Sequence, residues 1–151
     1  MVAEGNGAEQ NLNSSELEYA EALLEAARYN DLEDVRNLAA IGVSLNSKDA
    51  EGRTALHMAS ANGNVDIVNY LISNNADVNA RNVEDNTPLH WACLNGHIEV
   101  VKILIIAGAD VASLNRHEQT PVDEAAIGGK MNVIDAINTA VAQVELTRAS
   151  V

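Results

Sequence analysis

Hydrophobic residues along this 151-residue chain recur in short helical rhythms, not in alternating strand patterns. In "TPLHWACLNGHIEVVKILIIAGADV", Ile98, Val101, Leu104 and Ile105 share one face of a helix expected from about Ile98 to Ala107, because positions three and four apart lie one above the other. Just upstream, Thr87 suits an N-cap and Pro88 the first helical position, where a missing N–H costs nothing. Gly96 suits the left-handed stop of a first helix of about two turns, and Gly108 ends the second. The polar "ADVASLNRHEQ" that follows is too rich in turn formers to continue as helix.

This rhythm repeats. "GRTALHMASANGNVDIVNYLISNNADVNAR" from Gly52 aligns with "DNTPLHWACLNGHIEVVKILIIAGADVASL" from Asp85 and with "EQTPVDEAAIGGKMNVIDAINTAVAQVELT" from Glu118. Thr54, Thr87 and Thr120 are 33 residues apart, as are Gly63, Gly96 and Gly129. Carried backwards, the spacing sets Ala26 under Ala59 and Val35 under Val68, so a fourth, degenerate unit precedes the others. The units span about 16–51, 52–84, 85–117 and 118–150, and residues 1–15 are expected to form a disordered acidic segment. Each unit has an apolar face that only a neighbour can cover, so the units stack as a solenoid whose ends must be polar caps. Glu16, Glu18, Glu21 and Glu25 in the first unit, and Asp123 in the last where His57 and His90 stand in the inner units, suit that role.

The pattern "TPLHWA…GHIEVVKILI.AGADV" resembles the ankyrin repeat over nearly the whole chain beyond residue 15. The resemblance implies an all-α solenoid of four ankyrin repeats, each with two antiparallel helices and a β-hairpin-like finger. It makes Thr54, Thr87, Pro88, Thr120, Pro121, Gly63, Gly96 and Gly129 structural, and it makes His57 and His90 imidazoles that bond between the loops of adjacent units. It also implies protein binding through a concave face made of finger tips and the exposed side of each first helix. On the fingers those positions are Lys48, Glu51 and Arg53, then Arg81, Glu84 and Asn86, then Arg116. On the helices they are Met58 and Asn62, Trp91, Leu94 and Asn95, then Glu124 and Ile127.

Met58, Trp91, Leu94 and Ile127 are expected to form an exposed apolar stripe across three units, and tryptophan is enriched at binding hot spots. The alternative for Trp91 is that it fills a gap between helices. Asp85 and Glu118 replace the glycine usual in the family before the first helix. Asp tolerates a positive φ better than Glu, so the third finger is expected to be distorted or mobile.

Composition narrows the picture further. The chain is 47% hydrophobic but 3% aromatic, without Phe, so its core is built from Ala, Leu, Ile and Val. A net charge of −13 disfavours nucleic acid, which needs a basic footprint, and leaves a basic protein partner or solubility alone as its purpose. Through Ala40, nine carboxylates stand against Arg28 and Arg36, giving −7. The lone Cys93 cannot form an internal disulfide, and "MVAEGNGAEQ" lacks the basic and apolar regions of a secretory signal, which points to a reducing, intracellular setting. No membrane span is expected.

His90, Cys93 and His97 look reactive because they are close in sequence. Two ligands on one helix need three- or four-residue spacing, whereas these histidines are seven apart with Gly96 between them, so no metal is expected. Cys93 shares its register with Ser60 and Ala126, a position wanting a small side chain, and lacks a partner base. "GGK" at 128–130 mimics the end of a phosphate loop, but Glu124 and Met131 occupy the positions of its essential Gly and Ser or Thr. The chain is read as a non-enzyme without cofactor.

A closer similarity lies in "TALHMASANGNVDIVNYLI", "NTPLHWACLNGHIEVVKIL" and "LNRHEQTPVDEAAIGGK". Together these resemble the small fungal and plant ankyrin proteins related to the yeast dedicated chaperone of ribosomal small-subunit protein S3. That resemblance implies a chain, monomeric when free, that holds the N-terminal region of a basic ribosomal protein during small-subunit assembly in cytoplasm and nucleus. The rival reading is a generic scaffold or regulatory adaptor for a signalling or transcription protein.

Overall fold

Three helices open on the same threonine motif. Thr54, Thr87 and Thr120 have extended backbones, and each side chain accepts a hydrogen bond from the backbone N–H three residues on. The side chain at that third position, His57, His90 or Asp123, accepts the threonine N–H in return. This reciprocal box satisfies two of the helix-start donors that lack an internal partner. At the other end Gly63 and Gly96 stop α3 and α5 at φ of 72° and 79°, a region that disfavours any residue with a Cβ.

The computed structural model describes residues 13–149. Among them are eight helices and no β-strand: α1 (Ser14–Arg28), α2 (Leu32–Ala40), α3 (Ala55–Asn62), α4 (Val65–Ser73), α5 (Pro88–Asn95), α6 (Ile98–Ile106), α7 (Pro121–Ile127) and α8 (Met131–Ala149). The expected second helix of the third unit is α6, one residue shorter than the sequence suggests. Of the segment 1–15, residues 1–12 lie outside the described residues. Asn13 to Ser15 correct its boundary: Asn13 caps α1 through a box with Glu16, and Ser14 and Ser15 form its first turn.

The first helices pack side by side in the order α1, α3, α5, α7, and the second helices in the order α2, α4, α6, α8. Helices α2 to α7 run only seven to nine residues, too short to be stable alone, so they depend on packing between the two layers. Leu23, Leu56, Leu89, Val35, Ile67, Val68, Leu71, Val100, Val101 and Leu104 are wholly buried there. The core is aliphatic, as the composition requires.

The segments after α2, α4 and α6 form fingers, but they are tight turns and not strands. Each is closed by two backbone bonds: Asp49 N–H to Arg53 C=O, Asn82 to Asn86, and Asn115 to Gln119, all at 3.0 Å, and Gly52, Asp85 and Glu118 N–H back to the Asp49, Asn82 and Asn115 carbonyls at 2.9 Å. Single bonds join neighbours, Val83 N–H to Glu51 C=O and Arg116 N–H to Glu84 C=O. Gly52, Asp85 and Glu118 occupy the same left-handed position, at φ of 76°, 61° and 58°. The third finger is therefore regular, contrary to the distortion expected from Glu118. Its geometry is held by Asn115, whose Oδ1 accepts from the N–H of His117 and Gln119, as Asp49 and Asn82 do in theirs. Such side-chain turns support a left-handed residue that lacks glycine's freedom.

Candidate protein-binding face

The two TxLH histidines are fixed by their partners. Backbone N–H of Thr54 can only donate, so Nδ1 of His57 accepts it at 3.2 Å; the carbonyl of Asn86 can only accept, so Nε2–H of His57 donates to it at 2.8 Å. His90 repeats this with Thr87 at 3.1 Å and the Gln119 carbonyl at 2.9 Å. Both rings are therefore neutral, protonated on Nε2, and tie a first helix to the finger that follows it. Burial pulls the pKa of His57 down to about 4 despite the opposing bond to Asn86, and burial likewise lowers that of His90. Asp123 reproduces only the inner half of the arrangement, since no later finger lies beside it among the described residues.

Cys93 is buried, and burial, reinforced by the charge of Glu124, pushes its pKa up to about 12. A thiol held neutral in this way is a packing group, not a nucleophile. Its register mates diverge: Ser60 is buried, whereas Ala126 in the last pair is exposed. No group of metal-ligating side chains is assembled among the described residues, and none of their helices is long and apolar enough to cross a membrane.

His97, grouped above with the reactive-looking residues, is an interlock between units. Its Nε2–H donates to the carbonyl of Ala61 at 3.0 Å, and its ring lies where a Cβ on Gly63 would come within 2.6 Å of Nδ1. Asn64, one unit earlier, donates to Ala27 and Arg28, and Lys130, one unit later, packs along Gly96. The position after each turn glycine therefore reaches back over its predecessor with three different side chains. At the finger bases Asn46 and Asn79 reach the other way, accepting from the N–H of Asp77 and Asp110 of the next unit at 2.8 Å. Sequence reasoning missed both sets: the 33-residue recurrence of Asn46 and Asn79 marks the second, whereas Asn64, His97 and Lys130 share a position but no residue type.

The expected contact residues divide into exposed and engaged groups. Lys48, Glu51, Arg81, Glu84 and Arg116 are exposed on the fingers. Lys48 Nζ reaches the Arg81 carbonyl at 3.0 Å and Arg81 the Leu114 carbonyl at 3.1 Å, so these cations also brace successive fingers. Arg53 is held by Asp49 at 2.7 Å and lies near Glu51 at 3.4 Å. Asn86 is tied through its carbonyl to His57 and through Oδ1 to Asn115, and Glu124 accepts from Asn115 at 2.7 Å. Asn62 bonds back to Met58 within its own helix, and Asn95 donates to the Ala61 carbonyl.

Met58 does not join an exposed stripe. It is 4% exposed, and the guanidinium of Arg28 from the preceding unit lies 3.7 Å from its sulfur. Its register equivalents Trp91 and Glu124 are half-buried. Trp91 meets the ring of His57 edge-on, with centroids 5.2 Å apart at 69°. One side of the indole thus packs on the preceding unit while part of it stays open. Leu94 is 37% and Ile127 62% exposed, and the helix end at Gly128 fits closely beneath Leu94, whose carbonyl would lie 3.0 Å from any added Cβ. What remains is a shorter apolar step of Trp91, Leu94 and Ile127 on α5 and α7.

The family model described as ankyrin repeats (3 copies) matches residues 23–115 and again 82–141. The chain belongs to the ankyrin-repeat family. Ankyrin repeats generally mediate protein–protein binding, which agrees with an all-helical repeat solenoid in which the histidine and cysteine cluster is structural. No curated protein matches the chain.

Proposed function

We propose that this chain is a non-catalytic binding module of four ankyrin units that captures a basic protein segment on the face formed by its first helices and fingers. The observation that carries the reading is the apolar step of Trp91, Leu94 and Ile127, left open on a molecule of net charge −13. Exposed aliphatic and aromatic side chains on adjacent helices supply the desolvated centre that binding energy requires, and the net negative charge of the whole chain favours encounter with a basic partner.

The client proposed is the N-terminal region of ribosomal small-subunit protein S3, held soluble in cytoplasm and nucleus until assembly. That identity rests only on the resemblance of the strings around His57, Trp91 and Thr120 to the ankyrin proteins related to the yeast S3 chaperone. The test is a titration with ribosomal protein S3 and, in parallel, with an unrelated basic protein of equal charge. Selective binding of S3 supports the reading. Equal binding reduces it to charge attraction, and no binding to either leaves the adaptor reading, in which the same face holds a signalling or transcription protein.

A further inference from the structure

The face is chemically two-ended. At 33-residue spacing, one column along the first helices reads Glu25, Met58, Trp91, Glu124 and the next reads Arg28, Ala61, Leu94, Ile127. The apolar step thus occupies α5 and α7, and two helices away α1 presents Glu21 and Glu25, both exposed. Neither carboxylate has an ion-pair partner among the described residues. The nearby cations are engaged elsewhere: Arg28 rests against the Met58 sulfur and Arg53 is bound to Asp49. Between them lies a notch of about 250 Å³ lined by Glu21, Glu25, Leu24, Met58 and Asp49 with both arginines. Covered by Arg28, Met58 separates the ends and does not join them.

We infer that the bound segment bridges these two ends, with an aliphatic or aromatic side chain on Trp91, Leu94 and Ile127 and a lysine or arginine over Glu21 and Glu25. This deepens the proposed function and rests on it. Packed helices lie about 10 Å apart, so the ends are separated by about 20 Å. An extended chain spans that in about six residues. Charge complementarity selects a cation for the α1 end, because an acidic or neutral side chain there would leave the uncompensated pair unanswered. A segment with its cation adjacent to its apolar anchor would reach only one end at a time.

Two synthetic dodecapeptides of identical composition test this, each with one Leu-Phe pair and one Lys-Arg pair in a Gly/Ser background. In one the pairs are six residues apart, in the other adjacent. Binding to the full chain is followed by Trp91 emission and calorimetry. The spaced peptide is expected to bind about tenfold more tightly, the effect of two exposed ion pairs. The preference should vanish in Glu21→Gln/Glu25→Gln, whose substitutions are exposed and leave the fold intact, while Leu94→Ala/Ile127→Ala should weaken both peptides. Equal affinities, no binding of either, or a preference that survives the glutamine variant would overturn the two-ended geometry. If S3 binds while the peptides are not distinguished, the geometry fails and the binding reading stands. If the peptides are distinguished while S3 does not bind, the geometry holds and only the client is wrong.

Discussion

Acidification should loosen the ties between helices and fingers, and His57 sets the size of the effect. In the folded chain its Nδ1 faces the N–H of Thr54, so adding a proton there sets donor against donor inside a buried site. Its pKa falls from the ordinary 6.5 to about 4, chiefly through burial. The unfolded chain therefore takes up a proton that the folded chain refuses. Stability is complete above pH 6.5 and is lost as pH falls towards 4, by about 3 kcal/mol for this residue. His90, lowered for the same reason, acts in the same direction. Asp49 falls below this window: hydrogen bonds from Arg53 and from the Glu51 backbone outweigh its burial and lower its pKa, so its contribution is lost at more acid pH.

The assay is urea unfolding at several pH values between 7 and 4, on the wild type and on His57→Gln. Glutamine can keep the box with Thr54 but does not titrate. The variant should be less stable at pH 7, by about 1–2 kcal/mol for the weakened bond to Asn86 and lost packing. Its stability should then fall less steeply with acid. Parallel pH profiles for the two proteins would refute the buried, neutral imidazole.

Other substitutions probe the interlocks. The Ser60 hydroxyl is buried without a partner, so Ser60→Ala should raise stability by up to about 1 kcal/mol in thermal or urea melts, and a clear loss would mean the hydroxyl is satisfied. Gly63→Ala should cost about 2 kcal/mol or more, since φ is 72° and the methyl would meet the His97 ring. Adding His97→Ala should recover part of that loss, and strictly additive effects would place the ring elsewhere. Deleting residues 118–151 uncovers the faces of α5 and α6, so the truncated chain should melt lower and less cooperatively; an unchanged melt would contradict interdependent packing.

Local signals account for what the sequence made legible. Threonine and proline at helix starts, glycine at left-handed stops and a 33-residue period act within a few residues, and α3, α5, α6 and α7 begin where those signals lie. Contacts between units were harder to read. Met58 looked exposed because its burial depends on Arg28, 30 residues upstream. His97 stood only among the reactive-looking residues because its partner, the Ala61 carbonyl, belongs to the preceding unit. Glu118 looked like a defect because the compensating Asn115 turn was judged by glycine alone. Trp91 could not be assigned to packing or binding by type, and it meets His57 on one side while remaining partly open.

The most direct measurement of the central claim is the affinity of the N-terminal region of ribosomal protein S3 for the wild type and for Leu94→Asp/Ile127→Asp, with urea midpoints recorded for both. Leu94 and Ile127 are exposed, so the unfolding free energies from the urea curves should agree within about 1 kcal/mol. Removing the apolar step should at the same time weaken binding at least a hundredfold, about 2.7 kcal/mol. Unchanged affinity with an intact fold would contradict the claim that this face holds the partner.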